Sequence, residues 1–132
     1  MSTEQGKGCV QAIKDEESER PIPTAWRQTI KDIVKAFAQH DYQISVGVES
    51  VTAVSSKTAE QIRDYVEDYG EELTELSDET WESSVCIWMG HHWDAIVDLW
   101  TLSEGRSDLV LNLQVTEKEP GFEYEIGLLY VP

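Results

Sequence analysis

From Trp81 to Tyr130 the chain alternates apolar and polar residues in four successive runs, and no other feature restricts its fold as strongly. A period of two gives an extended strand one apolar face and one polar face, whereas a helix needs a period near 3.6. The runs place Trp81, Ser83, Val85, Ile87 and Met89 on one face, then Trp93, Ala95, Val97 and Leu99, then Leu109, Leu111, Leu113 and Val115, then Phe122, Tyr124, Ile126, Leu128 and Tyr130. The connections GHH, LSEGRSD and EKEPG are short and carry glycine, as tight reversals between antiparallel strands require. Four strands in a meander are therefore expected.

The first half of the chain has the other period. Trp26, Ile30, Ile33, Val34 and Phe37 fall at i, i+4, i+7, i+8 and i+11, one buried stripe of a helix, with Pro23 suited to its first turn. Arg27, Lys31 and Lys35 form a basic stripe on that helix. A second helix is expected in SSKTAEQIRDYVEDYG: Ser55, Ser56 or Thr58 can cap it, Ala59, Ile62, Val66 and Tyr69 form its core stripe, and Gly70 can end it in the left-handed conformation. Leu73 and Leu76 extend its packing. Between the helices, YQISVGVESVTAV is rich in β-branched residues and suits one short strand or an extended edge. These elements predict an α+β fold, two helices packed on a four-stranded antiparallel meander in a two-layer sandwich. Residues 1–20 are polar and aperiodic and are expected to form a mobile N-terminal arm, leaving 21–132 as a single α+β domain.

Charge narrows the function. Ten basic residues against 26 acidic ones leave a net charge of -16, which repels nucleic acid and anionic membrane and attracts basic surfaces. No apolar run is long enough to cross a bilayer, and Met1 to Lys14 lacks the apolar centre of a secretory signal, so a cytoplasmic location is expected. Cys9 and Cys86 have neither a disulfide framework nor metal-ligand spacing.

The residues that look most like chemistry lie in GHHWDAIVDLWTLSEGRSDLVL. On a strand rising about 3.3 Å per residue, Asp94 and Asp98 share a face roughly 13 Å apart. A glycosidase carboxylate pair needs about 5 to 9.5 Å. His92 and Asp94 could share a cation only with a third ligand, Glu117 or Glu119, from the next turn, and His-His followed by a carboxylate lacks the fixed spacing of a zinc motif. No serine sits in a GxSxG elbow, Cys86 lies mid-strand between Val85 and Ile87, and no glycine cluster can cradle phosphate. Neither a catalytic residue, a metal nor a cofactor is expected. Trp26, Trp81 and Trp93 fall on apolar faces. Trp88 and Trp100 fall opposite, where with Ile96 they would form an apolar patch, a contact site unless the arm or a homodimer covers it.

The more informative surface is acidic. Glu60, Asp64, Glu67, Asp68 and Glu71 recur at i, i+4, i+7, i+8 and i+11 on the second helix, and the stretch from Asp64 to Glu82 contains nine carboxylates and no lysine or arginine. Like charges at i, i+4 destabilise a helix slightly, so the stripe is not explained by helix stability. Tyr65 and Tyr69 flank it with large, fairly rigid contact area. The expected partner-binding residues are Glu60, Asp64, Tyr65, Glu67, Asp68, Tyr69, Glu71, Glu72, Glu75, Asp78 and Glu79, with Trp100 added from the sheet.

The segments PIPTAWRQTIKDIVKAF, DYVEDYGEELTELSDETW and WDAIVDLWTLSEGRSDLVLNLQV resemble a family of small bacterial domains with a W-x-x-x-V-D-L-W-T-x-x-E-G-x-S-D-L pattern, from about Pro21 to Pro132. Here it is carried by Trp93, Val97, Asp98, Leu99, Trp100, Thr101, Glu104, Gly105, Ser107 and Asp108. The resemblance implies an immunity protein of a bacterial toxin system such as contact-dependent growth inhibition: non-enzymatic, and binding a cognate toxin with a basic surface, most readily a nuclease. The alternative is an acidic inhibitor from a phage or mobile element that mimics nucleic acid toward a host defence protein.

Overall fold

The computed structural model describes residues 9–132. In chain order these residues form strand β1 (Arg20–Pro21), helix α1 (Thr24–Ala38), helix α2 (Ser56–Tyr69), a 3-10 helix (Asp78–Glu82), and strands β2 (Val85–Trp88), β3 (Trp93–Thr101), β4 (Gly105–Lys118) and β5 (Gly121–Tyr130). The sheet runs β1-β2-β3-β4-β5, with every neighbouring pair antiparallel. The α+β architecture and the meander follow the sequence, but the sheet has five strands rather than four. The extra strand is two residues long, with Arg20 opposite Cys86 and Pro21 opposite Val85. Two residues cannot display an alternation, and proline is tolerated there because β1 is an edge.

The helices supply one side of the core. On α1, Trp26, Ile30, Ile33, Val34 and Phe37 are all fully buried, as the stripe predicts. The Trp26 ring meets Trp93 edge-on at 5.4 Å and Phe122 at 5.6 Å, which fixes the start of α1 at the end of the sheet where β3 and β5 begin. On α2, Ala59, Ile62 and Val66 are buried, and Tyr69 lies half-buried at the margin. Ser55 caps this helix by accepting from the Thr58 amide at 3.1 Å, and Gly70 ends it at φ 87°.

Three register details depart from simple alternation. The first expected run divides: residues 78–82 coil into the 3-10 helix, capped by Ser77, and only Val85–Trp88 is strand. Directly opposed residues share a face, so pairing of Cys86 with Ala95 and of Trp88 with Trp93 turns Cys86 and Trp88 toward the helices, while Met89 is exposed. Trp88 therefore does not belong to the outer face with Ile96 and Trp100. In β5, Gly127 and Leu128 together oppose Asn112, because Leu111 pairs with Leu129 and Leu113 with Ile126. This bulge reverses the parity, burying Leu129 completely and leaving Leu128 55% exposed.

Residues 9–20 of the expected arm lie against the fold rather than clear of it. The Thr24 amide donates to the Val10 carbonyl at 3.0 Å, Trp93 Nε1 to the Ile13 carbonyl at 2.9 Å, and Lys14 pairs with Glu117 at 2.8 Å while sitting 5.0 Å from the Trp88 ring centre. Asp15 takes the Glu17 amide, the Ser18 hydroxyl and Arg20, which hold its carboxyl down at about 2. At the far edge, YQISVGVESVTAV contributes one bridge, Val51 beside Tyr124, with the Tyr124 amide donating to Ser50 and the Thr52 amide to Tyr124. Among the described residues, no helix is long and apolar enough to cross a membrane.

Candidate functional site: the acidic face and its groove

Burial of Ala59, Ile62 and Val66 turns Glu60, Asp64, Glu67 and Asp68 outward, and all four are exposed. Two bases share this surface of α2, the exposed Lys57 in its first turn and Arg63, which pairs with Asp64 at 3.2 Å. Glu72, Glu75 and Glu79 are exposed beyond the helix. Glu71 is half-buried and accepts a hydrogen bond from the Ser103 hydroxyl. Asp78, like Asp64, finds a counter-ion. Lys31 of α1 reaches it at 3.1 Å and holds its carboxyl below the usual carboxylate range.

The two tyrosines are anchors as well as surface. The Tyr65 hydroxyl accepts from the Val131 amide at 3.3 Å. The Tyr69 hydroxyl donates to the Glu104 carboxylate at 3.0 Å and accepts from the Asp108 amide at 3.2 Å. Both therefore tie α2 to the sheet. Trp100 lies beside the segment that follows α2, its carbonyl accepting from the Thr74 amide at 2.9 Å, but its ring faces elsewhere. Alternation along β3 turns it away from the helices, where its ring packs beside Gly105 and its indole Nε1 is buried without a hydrogen-bond partner among the described residues. Its ring and the outward carboxylates of α2 therefore point in different directions.

A groove of about 760 Å³ brings part of the acidic set together. It lies between the end of α1, the loop His40–Ser45 and α2, with Phe37, Tyr42, Ala59, Val66 and Leu73 as its apolar lining. Asp41, Glu60, Glu67, Glu71 and Glu72 supply the acid around them, against Arg63 and His40. Asp64, Asp68, Glu75, Asp78 and Glu79 lie outside it. The loop wall is braced. Asp41 accepts from the Ser45 amide at 2.9 Å, the Ser45 hydroxyl at 2.8 Å and the Val46 amide at 3.2 Å, which lowers its own carboxyl. The loop carries two non-glycine residues at positive φ, His40 at 67° where the Asp41 amide closes α1 on the Ala36 carbonyl, and Ile44 at 53° inside the clamp. Tyr42 stacks on His40, and its hydroxyl is pushed up by burial and then by the negative charge of Glu67. Sequence reasoning missed His40, Asp41 and Tyr42 because nothing periodic marks a loop that packs across a helix.

The residues that resembled chemistry hold the scaffold. Asp98 receives the Ser83 hydroxyl on its carboxylate, its amide donates to Ser84 Oγ at 2.9 Å, and its carbonyl accepts from Thr80 at 2.7 Å. Glu104 accepts from Thr101 and Tyr69, and the Ser107 hydroxyl donates to the Leu99 carbonyl at 2.8 Å. Gly105 turns the chain at φ 75°. His92 and Asp94 meet at 3.1 Å, while Glu117 is occupied by Lys14. Among the described residues, no three His, Cys, Asp or Glu side chains are grouped to hold a metal ion. Cys86 is buried in the sheet, which pushes its thiol up to about 11 and leaves almost no thiolate near neutral pH.

A family model described as a domain of unknown function matches residues 34–132, which takes in the last part of α1, the groove, α2 and strands β2 to β5. No curated protein and no solved structure matches the chain.

Proposed function

The chain belongs to the family of domains of unknown function DUF7668, and from that premise we propose that it is a non-enzymatic binding protein, an immunity protein that neutralises a cognate bacterial toxin through its acidic surface. The observation that carries the reading is the imbalance on α2 and the segment to Glu79. Exposed carboxylates outnumber bases there, with Lys57 and Arg63 the bases that α2 itself carries and Lys31 reaching Asp78 from α1.

Charges of one sign on a helix face contribute nothing to the helix that bears them, and their natural use is a partner of opposite sign. A nuclease has a basic cleft because it must hold phosphates, so an acidic surface seated in that cleft excludes the substrate without performing any reaction. Oriented charge would also accelerate the encounter, which suits a protein that must intercept an active toxin.

The test is co-expression with the protein encoded immediately upstream. Growth is expected to be rescued, and the purified pair is expected to form a complex that weakens as salt is added. Absence of both rescue and complex would overturn the proposal.

A further inference from the structure

We propose that the groove between α1, the loop His40–Ser45 and α2 is the seat for an arginine-bearing segment of a partner protein, which deepens the reading of the acidic face as a docking surface and rests on it. Three features of the groove select that occupant. Its size, about 760 Å³, lies within the range of pockets that enclose a ligand or a short stretch of chain. Its lining combines a narrow margin of apolar carbon from Val66 and Leu73 with the half-buried Tyr42 ring, a surface that takes up aliphatic stems and flat cationic groups. Its carboxylates come from both walls, Asp41 from the loop and Glu60 and Glu67 from the helix.

Guanidinium fits this combination better than ammonium. It is planar and weakly hydrated, it stacks on aromatic rings, and it offers paired donors to a carboxylate. Lysine would carry a more strongly hydrated point charge into the same apolar lining. The groove is also set before any partner arrives, because Asp41 already clamps Ser45 and Val46, so little ordering cost remains.

The probe is a fluorescently labelled peptide of roughly nine residues, long enough when extended to cross the groove, with two arginines flanking a leucine. Its lysine counterpart and free spermidine serve as comparisons, and binding is read by anisotropy with folding of every variant checked by thermal unfolding. The arginine peptide is expected to bind, and Glu60→Gln with Glu67→Gln to weaken it about tenfold or more. Asp68→Asn with Glu75→Gln removes the same charge outside the groove and is expected to change affinity less than about twofold. Equal loss in both double variants would overturn the groove while leaving a diffuse acidic docking face intact. Equal binding of the lysine peptide, or full competition by spermidine at equal concentration, would overturn the arginine assignment. No peptide binding at all would overturn the groove as a seat, and growth rescue by co-expression would then show separately whether the docking reading survives.

Discussion

The Tyr69 hydroxyl stands 3.0 Å from both carboxylate oxygens of Glu104, joining the end of α2 to the turn between β3 and β4. The same hydroxyl accepts from the Asp108 amide at 3.2 Å, so one side chain braces the acidic helix against two points of the hairpin. Tyr69→Phe keeps the ring and deletes these bonds. The expected loss is about 1 kcal/mol, with a fall in Tm of about 4 °C in thermal unfolding. An unchanged Tm would mean that the hairpin does not position α2.

Gly127 allows the β5 bulge. A Cβ there would lie 2.7 Å from Asn112 Oδ1 and 2.8 Å from the Asn112 carbonyl oxygen, and the second contact is backbone of the neighbouring strand. Gly127→Ala is expected to destabilise the fold by about 1–3 kcal/mol in chemical denaturation. Adding Asn112→Ala should not restore it, since the carbonyl remains. Full restoration would show that the side chain alone sets the constraint.

Cys86 and Cys9 should behave oppositely toward a thiol reagent at about pH 8. Exposed Cys9 is expected to react at once, and buried Cys86 only on unfolding. The raised Cys86 value also sets an alkaline limit. Its unfolded form ionises near 9.0 and its folded form near about 11. The contribution is therefore complete below pH 9 and is lost as pH rises toward 11. Cys86→Ala should flatten that part of the stability profile, and an identical slope in the variant would count against the assignment.

Asp41 is expected to govern the groove wall. Asp41→Ala removes the acceptor for the Ser45 and Val46 amides and for the Ser45 hydroxyl, so those two amides should exchange with solvent faster while the core amides of β3 and β4 do not. Acidification should act similarly. The Asp41 carboxyl is lowered in the fold, so its contribution is present above the ordinary value of 3.8 and fades as pH falls below it. Uniform acceleration across the sheet would indicate global loosening instead.

The sequence revealed what repetition encodes. The stripe Trp26, Ile30, Ile33, Val34 and Phe37 and the alternation in β3 predicted burial residue by residue, because a single periodic segment decides which of its faces is apolar. It was silent where pairing decides. The orientation of Cys86 and Trp88 comes from register with Ala95 and Trp93, the exposure of Leu128 from a bulge opposite Asn112, and β1 from two residues that find an edge. The candidate site divides the same way. The outward direction of Glu60, Asp64, Glu67 and Asp68 was readable from helical spacing, whereas the groove depends on a loop whose positive φ values at His40 and Ile44 carry no glycine signal.

Docking of a basic partner on the acidic face is measured most directly by the affinity for the purified upstream gene product between about 50 mM and about 300 mM salt. Affinity is expected to fall by about tenfold or more over that range, with a shallower fall once Glu60, Glu67 and Glu71 are neutralised together. A complex indifferent both to salt and to those substitutions would contradict it.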